Sequence, residues 1–135
     1  MSEVSRTARV GDVGEHVLID EITRRLGQGQ SALVGIGDDA AVISLSEPSV
    51  AVSTDVLVQD RHFRLSWSTA SDIGHRVAGA NLADVAAMGA MPTCLVVGLV
   101  LPPDTEVGWV LDFLDGLAAE CEGIGASVVG GDLAS

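Results

Sequence analysis

From Thr93 to Leu101 the chain reads TCLVVGLVL, a continuous apolar run without a charge. Such a run is the pattern of a β-strand covered on both faces, so it calls for packed layers on either side. It is far shorter than the roughly 20 residues that cross a bilayer, so no membrane contact is expected. Helices flank it. Asp104 stands where it can cap a helix in which Val107, Val110, Leu111, Leu114, Leu117, Ala118 and Cys121 keep the i, i+3, i+4, i+7 spacing. Gly123 and Gly125 end that helix. Upstream, a helix should start near Ser71 or Asp72 and run to Met88, with Ala78, Gly79, Ala80, Ala83, Ala86 and Ala87 leaving little side-chain bulk. A helix so lean packs its backbone close to a neighbour.

Between Gly14 and Leu26, the residues Leu18, Ile22 and Leu26 recur at helical spacing, with Arg24 and Arg25 in the last turn and Gly27 as the stop. Ala40–Leu45 and Val50–Thr54 are β-prone runs separated by SEPS, which predicts an antiparallel pair. Ser127–Val129 predicts a last strand that exits into a turn at Gly130, Gly131 and Asp132. The order αββαβαβ gives an α/β (α+β) fold, with helices packed on a mixed or antiparallel sheet. Residues 1–12 read as a flexible lead-in and residues 13–135 as one domain. A strand that halts just after GGD suggests one domain of a longer protein.

The 135 residues suffice for a single core. All seven basic side chains are arginine, which removes any Walker-type or Schiff-base lysine. The formal charge of −12 argues against nucleic acid as a partner. An acidic domain that handles phosphate needs metal cations to reverse its field. Cys94 and Cys121, a lone and widely spaced pair, read as reduced thiols of a cytoplasmic protein.

Four acidic clusters fall at or near element ends: Asp38 and Asp39 in GIGDDAAV, Asp55 in VSTDVLV, Asp84 in NLADVAAMGA and Asp132 in VVGGDLA. Like charges brought together resist joint ionisation, and divalent cations relieve that conflict. Magnesium favours hard oxygen ligands, often shared with substrate phosphates. Asp39, Asp55, Asp84 and Asp132, with the hydroxyls of Ser53 and Thr54, have that donor chemistry. Asn81 lies three residues before Asp84 on roughly the same helix face, so the two can address one site. The competing reading for each carboxylate is a solvated turn or helix residue.

GIGDDAAVI, STDVLVQDRHF, NLADVAAMGAMPTCLVVGLVLP and VVGGD, taken in order and spacing, resemble the amino-terminal half of the thiamine-monophosphate kinase family. That family lies within the wider group of ATP-using enzymes built like aminoimidazole ribonucleotide synthetase. The GDD and GGD pieces are common to the group. The combination of STD, the following RHF and NLADVAAMGA points to the thiamine family.

The resemblance implies ATP-dependent phosphorylation of thiamine monophosphate to thiamine diphosphate, with several magnesium ions and with ATP as co-substrate. It implies metal ligation by Asp39, Ser53, Thr54, Asp55, Asp84 and Asp132, ATP contact by Gly131 and Asp132, and substrate contact by His62. It also implies a homodimer built by pairing of amino-terminal domains, and a carboxy-terminal domain that this chain does not contain. Leu133 stands where the family commonly has threonine after GGD, so no hydroxyl role is carried to that position. Two other readings stand beside this one: another ATP-dependent synthetase of the same group, and a non-catalytic dimerisation module.

Overall fold

The computed structural model describes residues 4–134. The first three residues of the expected lead-in and Ser135 of the expected domain lie outside this range. The element order is α1 (Val10–Val13), α2 (Glu15–Leu26), β1 (Ala32–Val34), β2 (Val42–Ile43), α3 (Ala70–Ala87), β3 (Cys94–Val100), α4 (Val107–Glu122) and β4 (Ser127–Ala134).

Helix α4 buries Val107, Val110, Leu111, Phe113, Leu114, Leu117 and Cys121, as its spacing predicts. Its N-cap is Glu106, which makes no side-chain cap bond, and not Asp104. The Asp104 carbonyl instead accepts from Arg9 Nη1 at 2.8 Å. The N–H groups at the start of α4 are taken up by an N-terminal strap: Val107 N–H donates to the Ala8 carbonyl at 2.9 Å and Gly108 N–H to that of Arg6 at 2.7 Å. Arg6 closes on Asp112 at 2.6 Å, and Val10 N–H reaches the Thr105 carbonyl at 2.8 Å. Within the described residues the strap thus occupies part of the stretch read as a lead-in.

Helix α3 begins one or two residues before the expected Ser71 or Asp72 because Thr69 and Asp72 form a reciprocal capping box. It packs along α4, with Ile73, Gly74, Ala78 and Leu82 buried. Helix α2 is bounded by Gly14 and Gly27, the latter the expected stop, and lies on α4 through buried Leu18. Arg25 fastens the two helices, its Nε donating to Asp115 Oδ1 at 2.6 Å.

The strands form two separate two-stranded sheets, one antiparallel (β1–β2) and one parallel (β3–β4). Helices on small sheets of both kinds agree with the fold class read from the sequence. Three local expectations are corrected. The predicted pairing of Ala40–Leu45 with Val50–Thr54 does not form: Val42–Ile43 pairs with Ala32–Val34, and Ser44 N–H extends the contact to the Ser31 carbonyl at 2.9 Å. The bend at Gly37, with φ 108°, returns the chain onto β1, and among the described residues Val50–Thr54 has no strand partner. Second, β3 is covered on one face only. Leu95, Val97 and Leu99 pack on the core, whereas Val96 and Val100 are 70% and 78% exposed. Third, Gly130, Gly131 and Asp132 lie inside β4 and not in a turn beyond it, opposite Val96, Val97 and Gly98 of β3. A Cβ at Gly131 would lie 2.0 Å from the Val97 carbonyl oxygen, so the strand itself demands glycine there.

Candidate functional site

Asp39 stands in the turn after β1, exposed, its N–H donating to Asp38 Oδ1 at 2.9 Å. Ser53, Thr54 and Asp55 lie in an exposed stretch without regular secondary structure between β2 and α3. Asp55 is held at two points. Its own N–H donates to Asn81 Oδ1 at 3.0 Å, and its Oδ1 accepts the Val56 N–H at 2.8 Å. Asp84 is exposed on α3, one turn beyond Asn81. The structure therefore brings Asp55 to Asn81, one turn before Asp84 on α3.

Asp132 is exposed on β4 beside Gly98, over which a Cβ would meet nothing within 4 Å. On the same outward side, a Cβ on Gly130 would lie 3.8 Å from the Ala41 Cβ, so the stretch that follows Asp39 approaches the β4 face. The contacts thus join Asp55 to Asn81 of α3, and Ala41, two residues after Asp39, to Gly130 of β4. Among the described residues no three His, Cys, Asp or Glu side chains gather into a group that could hold a metal ion by themselves. The donor chemistry, carboxylates and hydroxyls on exposed backbone, fits a magnesium ion that keeps waters and shares phosphate oxygens. It does not fit an all-protein cage.

The segment with RHF is held by local hydrogen bonds. His62 Nδ1 accepts the Val58 N–H at 2.9 Å, while the His62 N–H donates to the Val58 carbonyl at 2.8 Å. Asp60, with φ 63°, makes the turn between them. A ring nitrogen that accepts a hydrogen bond carries no proton, so neutral His62 has its proton on Nε2 as an available donor. No sequence signal marks this reciprocal lock. A second missed feature had one: Thr69 and Asp72 fit the S/T-x-x-D/E pattern of a capping box. Arg64 lies over the exposed Trp67 ring at 4.5 Å, which occupies one of the arginines that could otherwise meet phosphate. A cavity of 410 Å³ between the loop after α2 and the end of α4 is lined by Gln28, Cys121 and Ser127 among others and includes none of the candidate residues.

Residues 37–135 match the family described as AIR synthase related protein, N-terminal domain. The chain belongs to this family. Proteins similar to it include the thiamine-monophosphate kinase of Mycobacterium tuberculosis (strain CDC 1551 / Oshkosh), 46% identical over 91% of this chain and 37% of that protein. The thiamine-monophosphate kinase of Corynebacterium glutamicum is 39% identical over 93% of this chain and 37% of its own length. The crystal structure of thiamine-monophosphate kinase from Stenotrophomonas maltophilia K279a superposes with a TM-score of 0.72 at 36% identity, covering 87% of this chain and 37% of that one. The resemblance read from the motifs is borne out, and this AIR synthase related domain spans 37% of the length of those relatives. Among its described residues no helix is long and apolar enough to cross a membrane.

Proposed function

We propose that this chain is the amino-terminal, ATP- and magnesium-binding part of a cytoplasmic enzyme that phosphorylates thiamine monophosphate to thiamine diphosphate. The observation that carries this reading is 46% identity, over 91% of the chain, to a protein named thiamine-monophosphate kinase. Asp39, Ser53, Thr54, Asp55, Asp84 and Asp132 are the proposed metal ligands, Gly131 and Asp132 the proposed ATP contacts, and His62 the proposed substrate contact. When bound, magnesium would neutralise the phosphates of nucleotide and acceptor and align them.

The chain's own residues then have modest chemical duties. The acceptor is a phosphate monoester, whose second pKa of about 6 leaves it largely ionised at neutral pH, so no side chain need act as general base. Phosphoryl transfer through a loose transition state depends on positioning and charge stabilisation. His62, held by Val58, offers an Nε2–H as a fixed donor for orienting the acceptor.

A second copy of this chain is the proposed partner. Val50, Val52, Val56 and Val58 stand at even positions, on either side of Thr54, in the stretch without regular secondary structure and are 64%, 86%, 68% and 47% exposed. The outer face of β3 adds exposed Val96 and Val100. Exposed valines on backbone that joins no strand among the described residues form the kind of edge that pairs with another chain. Free Cys94 and Cys121 suit a reducing compartment.

The test uses the full-length protein that carries this chain, supplied with ATP, magnesium and either thiamine monophosphate or an aminoimidazole precursor. ADP and thiamine diphosphate should form only with the first acceptor. Turnover of the second alone would move the protein to the synthetases of its family.

A further inference from the structure

Among the described residues, 45–57 make no backbone–backbone hydrogen bond. One side chain crosses to them. Asn81 of α3 accepts the Asp55 N–H on Oδ1 at 3.0 Å and donates from Nδ2 to the Val77 carbonyl at 2.9 Å. A carbonyl can only accept and an N–H only donate, so the two partners together fix which way the amide faces. Asn81 is half-buried, while Asp55 and Asp84 are exposed.

We propose that Asn81 is a positioning residue that sets the spacing between Asp55 and Asp84 for a shared hard divalent cation. The proposal rests on the reading of Asp55 as a metal ligand. The Asp55 backbone is held from α3 by Asn81, and the Asp55 Oδ1 is oriented by the Val56 N–H, which leaves Oδ2 without a hydrogen bond among the described residues. Asp84 projects from the same helix one turn later. The relative placement of two carboxylates from different parts of the chain therefore passes through one amide. Alanine cannot accept the Asp55 N–H. Aspartate can, but it cannot donate to Val77. Groups that orient metal ligands from behind change metal affinity by about 10–100-fold when removed.

The test measures two quantities on this chain: exchange of the Asp55 amide by NMR without metal, and binding of Mn²⁺ alone by electron paramagnetic resonance. Asn81→Ala should speed Asp55 exchange at least tenfold and weaken Mn²⁺ binding by about 10–100-fold, with the unfolding transition retained. Asn81→Asp, which restores an acceptor, should slow Asp55 exchange again. Asp55→Asn should weaken Mn²⁺ binding at least as much as Asn81→Ala. If Asn81→Ala leaves Asp55 exchange or Mn²⁺ affinity unchanged while Asp55→Asn weakens binding, the role of Asn81 is wrong and the ligand reading survives. Continued fast exchange in Asn81→Asp would equally overturn the clasp. If Asp55→Asn binds Mn²⁺ as the parent does, the ligand reading fails and takes the proposal with it.

Discussion

Gly74 of α3 and Gly116 of α4 meet at one helix crossing, each filled by the other helix's backbone. A Cβ on Gly74 would lie 2.0 Å from the Phe113 carbonyl oxygen, and one on Gly116 would lie 2.0 Å from that of Ser71. These backbones are in contact, and no side chain there can bend away. Gly74→Ala and Gly116→Ala should each cost about 3 kcal/mol, the upper range of overpacking, read from the urea midpoint. Gly79→Ala is the opposite case on the same helix. Its Cβ would meet only the Glu120 carboxylate at 3.6 Å, so the change should stabilise by about 0.5–1 kcal/mol through helix propensity alone. Equal effects at Gly74 and Gly79 would contradict this account of the crossing.

The start of α3 gives a pH-dependent prediction. The Thr69 hydroxyl, and then the Thr69 N–H, hold the Asp72 carboxyl below its ordinary range. A depressed carboxyl stabilises the fold above its unfolded pKa, and that contribution disappears as pH falls through the lower folded value. Asp72→Asn should therefore lower the urea midpoint at pH 7, and the gap to the parent should close on acidification below about pH 4. Thr69→Ala should cost about 1 kcal/mol at neutral pH, as loss of an N-cap does.

The two thiols should differ in reactivity. Burial, with a smaller contribution from Glu120, pushes the Cys121 thiol up to about 11. The thiolate is the reacting form, so at pH 8 a thiol reagent should label half-buried Cys94 in the native protein and reach Cys121 only on unfolding. Mass spectrometry after timed labelling distinguishes the two sites. The raised value also has a stability consequence: the folded state retains a proton that the unfolded chain loses, so this contribution falls as pH rises from about 9 towards 11.

Val52 is 86% exposed, so Val52→Lys should change the stability of a single chain by less than about 0.5 kcal/mol. Placed along the proposed contact between copies, the same lysine should convert a dimer into a monomer in sedimentation experiments. A parent chain that sediments as a monomer, or a variant that remains dimeric, would remove this edge as the interface.

The helices were legible because their signal is local. Leu18, Ile22 and Leu26, and the longer series in α4, repeat at the helix period and are buried or half-buried where that period puts them. Pairing is not local, and there the sequence misled. Val50–Thr54 has the composition of a strand, yet β2 took Ala32–Val34, a run too short to stand out between glycine-rich turns. Gly130 and Gly131 read as a turn because glycine most often supplies backbone freedom; here Gly131 supplies clearance for the Val97 carbonyl. At the site, residue chemistry and the shared face of Asn81 and Asp84 were readable. The Asn81–Asp55 bond joins residues 26 positions apart, a pairing made only by the tertiary fold and left unmarked by any local pattern.

The N-terminal strap has a consequence for the order of events during synthesis. Arg6 Nη2 donates to the Gly108 carbonyl and to Asp112 Oδ1, partners 102 and 106 residues further along the chain. At about 5–20 residues per second, a ribosome delivers those partners roughly 5–20 seconds after Arg6 itself. Through that interval the strap has nothing to grip, while α2 can already close its own hydrogen bonds. The strap, made before α4, is therefore fastened only after α4 has followed it.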